Sequence, residues 1–121
     1  MRLSARVSIR RRYVIPRYLY QLAYTSENWA AQMKDPQNRV EKVRGSVEQL
    51  GGKIVDAYYA FGEYDIVIIL DMPDNAAAAA FAIAVAGGGA CKAAKTTPLM
   101  SIEEGIDAIR KGGQSSYRPA G

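Results

Sequence analysis

Hydrophobic and polar positions alternate with period two over residues 17–24 (RYLYQLAY), putting Tyr18, Tyr20, Leu22 and Tyr24 on one face and Leu19, Gln21 and Ala23 on the other. Alternation with aromatic enrichment predicts a strand. The period then changes. Ser26 is a candidate N-cap for a short helix holding Trp29 and Met33, and Asp35 followed by Pro36 reads as a second cap with proline in the first helical position. A second helix is therefore expected to restart at Pro36. Its buried stripe is Val40, Val43, Val47 and Leu50, spaced by three and four with charged residues between them, and Gly51 and Gly52 end it.

Residues 53–61 (KIVDAYYAF) and 65–72 (DIVIILDM) read as two strands joined through Gly62, Glu63 and Tyr64, a connection of hairpin length with glycine where a positive φ is affordable. Pro73, Asp74 and Asn75 introduce an alanine-rich helix reaching Ala86, with Phe81 and Val85 as its large apolar residues, and Gly87 to Gly89 end it. A weaker strand over residues 90–97 precedes Pro98. A last helix runs from Ser101, with Glu104 completing a capping box, to Lys111. The order is that of an α+β, ferredoxin-like βαββαβ domain over residues 14–111, with an extra C-terminal helix and a flexible tail over residues 112–121.

Strands two and three are polar on neither face: Ile54, Tyr58 and Ala60 alternate with Val55, Ala57 and Tyr59, and Val67 and Ile69 with Ile66, Ile68 and Leu70. A half-solvated antiparallel strand alternates apolar with polar. With both long helices on one side, the other side calls for a cover from outside the chain, and the expectation is a homodimer with sheets face to face, a dimeric α/β barrel.

A length of 121 residues suits one domain, and 49% apolar with 23% charged residues is ordinary globular composition. No apolar run reaches the roughly 18 residues of a membrane span, so no membrane is expected. A single cysteine closes no internal disulfide, and the absence of histidine removes the commonest metal ligand and the usual general base. No metal and no cofactor are expected. Of the 16 basic residues, five arginines lie in the first twelve positions, and the remaining 11 face 12 acids, a net charge of −1. The basic character thus belongs to residues 1–13, and the core domain is not expected to bind nucleic acid.

That segment has three readings. Its arginines and serines fit a transit peptide, while Leu3, Ala5, Val7 and Ile9 alternate with the period of a strand; a secretory signal fails for want of an uninterrupted apolar stretch. The third reading, an upstream extension outside the fold, is preferred, with the protein in the cytoplasm. An RNA- or membrane-binding role through the arginines requires the segment to be native.

The hairpin GEYD (Gly62 to Asp65), with LGGK (Leu50 to Lys53) before it and MPD (Met72 to Asp74) after it, resembles the GYD-domain family of small bacterial and archaeal proteins. PRYLYQLAYTSE (Pro16 to Glu27) and KTTPLM (Lys95 to Met100) are similar to that family too. The resemblance implies the dimeric α/β barrel and supplies no catalytic residues. The same hairpin resembles that of the effector-binding module of leucine-responsive transcription regulators, which bind amino acids between subunits behind a helix-turn-helix domain; thirteen residues are too few for such a domain.

Candidate chemistry is sparse. Asp65, beside Glu63, is a weak acid–base candidate whose alternative is to hydrogen-bond backbone. Asp56, on the face of Ile54, Tyr58 and Ala60, either pairs in the interior with Lys92 or Lys95 or meets water at a sheet edge. Tyrosines outnumber phenylalanines eight to two. Tyr18, Tyr20, Tyr24, Tyr58 and Tyr59 line either a pocket or an interface. Trp29 gates such a pocket or caps the core. Lys95 and Thr97 offer an ammonium and a hydroxyl to an anion, with no phosphate loop nearby, and Cys91 reads as packing. The candidate ligand-binding set is Tyr20, Trp29, Tyr58, Tyr64, Lys95 and Thr97. The expected function is a homodimeric module binding a small apolar or aromatic molecule in or beside the barrel. The alternative is a cofactor-independent monooxygenase or isomerase of the same architecture.

Overall fold

The structure, a computed structural model, describes residues 15–120, so the extension expected over residues 1–13 lies outside the described residues. In chain order the elements are β1 (Arg17–Tyr24), α1 (Ser26–Lys34), α2 (Arg39–Gln49), β2 (Lys53–Tyr59), β3 (Ile66–Asp71), α3 (Asn75–Gly87), β4 (Cys91–Leu99) and α4 (Ile102–Gly113). The strands make one antiparallel sheet in the order β2-β3-β1-β4, the ferredoxin-like arrangement. The α+β class is as expected. Within one chain the sheet is open rather than a barrel, with β2 and β4 at its edges.

The core lies on one side of the sheet. Cross-strand neighbours Tyr18 and Leu70, Tyr20 and Ile68, and Leu22 and Ile66 are all buried there, and Val47 of α2 with Ala78 and Phe81 of α3 closes over them. Phe81 meets the Tyr20 ring edge to face, centroids 5.3 Å apart. This burial, worth roughly 25 cal/mol per Å² of apolar surface, is what drives the two long helices onto that side. On the other side Leu19, Ala23, Val67 and Ile69 form an apolar centre, with Gln21, Lys95 and Thr97 toward β4 and Asp56 and Tyr58 toward β2. Neither long helix covers it.

Several boundaries differ from expectation for identifiable reasons. Thr25 rather than Ser26 caps α1, because the Thr25 carbonyl already accepts the Trp29 N–H (3.0 Å) while its Oγ1 accepts the Asn28 N–H (3.0 Å). Nor does a helix restart at Pro36. Asp35 ends α1 with its N–H on the Ala31 carbonyl, in the non-helical backbone a residue before proline prefers, and its carboxylate is taken by the Gln37 amide (2.6 Å). Asn38 is the cap of α2, its Oδ1 accepting from Val40 and Glu41 at 3.0 and 3.1 Å. Strand β4 runs through Pro98, which an edge strand tolerates. The capping box of Ser101 and Glu104 forms with both bonds, at 2.9 and 3.0 Å, and α4 continues past Lys111 to Gly113.

The largest departure is in β2. The ladder slips between Ile54, opposite Leu70, and Asp56, opposite Ile69, so Val55 is a bulge. Beyond it, Ala57 and Tyr59 join Ile54 on the core side while Asp56 and Tyr58 turn to the open side. The face expected for Asp56, shared with Ile54, is therefore corrected: one extra residue inverts the alternation.

Candidate functional site

The helix-covered side of the sheet contains a cavity of about 140 Å³. Its apolar walls come from Leu22 and Ile68 of the sheet and Phe81 and Val85 of α3, and its polar side chains are Tyr20, Tyr24, Asn28, Arg39 and Lys42. Each position follows from a local rule. Tyr20 is delivered by the alternation of β1, Asn28 by the first turn of α1, and Arg39, Lys42 and Val43 share one flank of α2 through spacings of three and four.

Tyr20 is 1% exposed, and its hydroxyl is buried without a hydrogen-bond partner among the described residues. Arg39 Nε is buried in the same condition. Burial, reinforced by Cys91 and Tyr24, pushes the Tyr20 hydroxyl up to about 12, so it remains a neutral donor. Burial also raises the Tyr24 hydroxyl, assisted by Tyr59 and opposed by the charge of Arg39. Trp29 packs edge to face on Tyr24 with centroids 5.2 Å apart, capping the core at this end.

The six candidate ligand residues do not converge. Tyr20 and Trp29 lie on the helix side, Tyr58, Lys95 and Thr97 on the open side, and Tyr64 in the hairpin. Tyr58 and Lys95 share one cross-strand row at opposite edges, with Val67 and Gln21 between them. Asp65 ties strands together: its Oδ2 accepts the Tyr24 N–H and its own N–H donates to the Leu22 carbonyl, both at 2.8 Å. Asp56 is exposed at the β2 edge. Its carboxylate accepts from the Tyr58 hydroxyl (2.7 Å) and the Ala57 N–H (2.9 Å), which hold it below the usual carboxylate range. The interior pair with Lys92 or Lys95 is thereby replaced by the edge arrangement, since both lysines belong to β4, at the far edge.

Asn28, Arg39 and Lys42 are cavity residues that the sequence pattern did not single out. Arg39 is four residues before Val43 of the buried stripe, a signal that it flanks the core rather than facing solvent alone.

Two larger grooves are open to solvent. One, about 560 Å³, runs along α2 and β2; its Arg44 is paired with Glu41 at 2.9 Å and its Asp56 is held by Tyr58. The other, about 600 Å³, lies at the start of β1, where Arg17 grips Asp71 with bonds of 2.7 and 3.0 Å and Glu104 serves the capping box. These charged groups already have partners, an opposite charge for Arg44 and Arg17 and a hydroxyl or backbone N–H for Asp56 and Glu104. Among the described residues no three histidine, cysteine or carboxylate side chains come together as a metal site, and no helix is long and apolar enough to cross a membrane.

Among solved structures the fold matches that of MtbAldR (Rv2779c), seen in its crystal structure, with a TM-score of 0.53 at 13% identity, over 74% of this chain and 55% of that one. The chain thus spans about half the length of that structure, and the likeness is one of fold. No curated protein matches the chain. The model of the GYD domain matches residues 18–109, from the first buried tyrosine of β1 to the last isoleucine of α4. That stretch holds every strand pairing, both long helices and the GEYD hairpin, and on it the chain belongs to the GYD domain family.

Proposed function

We propose that this chain is a homodimeric, cytoplasmic module that binds a small apolar or aromatic molecule, one per subunit, in the cavity between sheet and helices. The ligand lies beside the barrel that two face-to-face sheets would form. The observation that carries the reading is the buried, unpartnered Tyr20 hydroxyl on a cavity walled largely by apolar side chains. A buried polar group left unpaired costs about 1–3 kcal/mol, a cost that a bound molecule offering an acceptor removes. The cavity's size fits: a void of roughly 150 Å³ lined by aliphatic and aromatic side chains takes up benzene.

Binding rather than catalysis is favoured by the groups present. Acid–base chemistry wants a donor and an acceptor of matched pKa converging on one atom. The charged lining residues, Arg39 and Lys42, are both cations, and Tyr20 stays protonated. The test is a titration of the full chain with two one-ring probes that carry an acceptor, benzamide and benzoate, followed by NMR. Shifts at Tyr20, Leu22 and Phe81 with one probe per subunit are expected; a spectrum that neither probe moves at those residues, or that moves only along the open face at Leu19 and Ile69, would refute the site.

A further inference from the structure

We infer that the molecule held in this cavity is a small organic anion, a monocarboxylate with a body no larger than a benzene ring, its charged end set against Arg39 and Lys42 and its apolar body against Phe81 and Val85. The inference rests on the ligand-binding reading above and adds the sign of the ligand's charge.

Five polar side chains line the cavity, Tyr20, Tyr24, Asn28, Arg39 and Lys42, and each can donate a hydrogen bond into it. Tyr20 has a buried hydroxyl and Arg39 a buried Nε–H, both without acceptors among the described residues. Asn28 has its Oδ1 taken by the Gln32 amide at 2.7 Å, which leaves its NH₂ as the uncommitted end. Lys42 adds an ammonium, and neither it nor Arg39 enters an ion pair among the described residues. No carboxylate lines the cavity.

Arg17, Arg44, Arg110 and Lys111 each have a carboxylate within 4 Å, and the cations without one, Lys34, Lys53, Lys92, Lys95 and Arg118 among the described residues, are exposed to water as Lys42 is. Arg39 differs from all of them in having a buried Nε with no acceptor. Removing guanidinium surface from water without an acceptor is costly, and an anion restores both the charge balance and the hydrogen bonds. A cation is repelled by two like charges, and a neutral hydrocarbon leaves every donor unmet. The raised Tyr20 hydroxyl keeps its proton across ordinary pH and so adds a donor to a carboxylate. The volume of about 140 Å³ limits the body to one ring or a short branched chain.

The experiment compares benzoate with benzamide and toluene, which share a ring and differ in charge, by calorimetry and NMR on the full chain. Benzoate is expected to bind once per subunit and at least tenfold tighter than benzamide. In Arg39→Gln the preference falls severalfold, and in Lys42→Gln by a smaller factor, while circular dichroism shows both variants folded. Lys42 is the second variant should Arg39→Gln fail to fold. Benzoate binding no tighter than benzamide, while benzamide or toluene still shifts Tyr20 and Phe81, overturns the anion assignment and leaves the cavity as a neutral site. Silence at Tyr20 and Phe81 with all three probes overturns both readings.

Discussion

Tyr18 and Tyr20 stand two residues apart on the same face of β1, and their hydroxyls have opposite fates. Tyr18 donates to Asn75 Oδ1 at 2.5 Å at the start of α3, while Tyr20 has no partner among the described residues. Their phenylalanine variants should therefore differ in sign. Tyr18→Phe gives up a bond worth about 1 kcal/mol and lowers the urea midpoint; Tyr20→Phe removes an unpaired buried group and raises it by a comparable amount. Tyr20 also sets an alkaline limit. Its hydroxyl titrates at about 12 folded and about 10 unfolded, so its contribution to stability is whole below pH 10 and is lost as the pH climbs toward 12. Denaturation in that range should be shallower with pH in Tyr20→Phe than in the parent. The alternation of β1 makes both tyrosines legible as inward residues. Which one finds an acceptor depends on Asn75, 57 positions from Tyr18, and that is a fact of packing rather than of pattern.

Elements were legible where periodicity was long and caps were local. All four strands and the helices bearing Val47 and Phe81 were, as was the Ser101 to Glu104 capping box. What escaped was any feature set by a single register choice. The bulge at Val55 has no glycine to announce it, and the low strand propensity of Asp56 and Ala57 does not say which residue is the extra one, so nothing in KIVDAYY marks where the alternation inverts. Likewise Asp35 and Asn38 both suit a helix cap, and only the non-helical backbone of Asp35 ahead of Pro36 decides between them. The turn from α2 into β2 shows the same dependence on close approach. Gly51 takes φ +86°, and a Cβ on Gly52 would come within 2.6 Å of the Asp71 carbonyl oxygen and against the sulfur of Met72. Backbone cannot retreat as a flexible side chain does. Gly52→Ala is expected to cost about 2–4 kcal/mol, or to leave the chain insoluble, whereas Gly45→Ala on the open surface of α2 should be neutral or slightly stabilising; thermal melts of the pair decide.

At the scale of the whole molecule, two apolar surfaces have no covering element among the described residues. One is the open side of the sheet, centred on Leu19, Val67 and Ile69. The other is α4, whose Ile102, Ile106 and Ile109 lie at spacings of four and three and are 80%, 48% and 76% exposed, while Asp107 pairs with Arg110 and Lys111 on the polar flank. Helices so amphipathic and so weakly packed gain their stability from burying that stripe against something. Self-association by a two-fold operation would cover both sheet faces at once, because the surface is then its own complement. The mixed rim supports this. Lys53, Asp71 and Arg17 lie in one cross-strand row at one end of the apolar centre, and Lys95 and Asp56 lie on opposite edges. Charges of both signs at the border of an apolar patch fix orientation more than affinity. A charge in the middle has the reverse effect, since Ile69→Lys would place an ammonium in the desolvated centre of the interface. Sedimentation at micromolar concentration should then show a dimer for the parent chain and a folded monomer for Ile69→Lys. Ile83→Lys, on the outer surface of α3 and 70% exposed, should remain dimeric. A parent chain that sediments as a single subunit would leave the open face solvated and remove the barrel, while the cavity around Tyr20, which lies within one subunit, would still stand to be tested with benzoate.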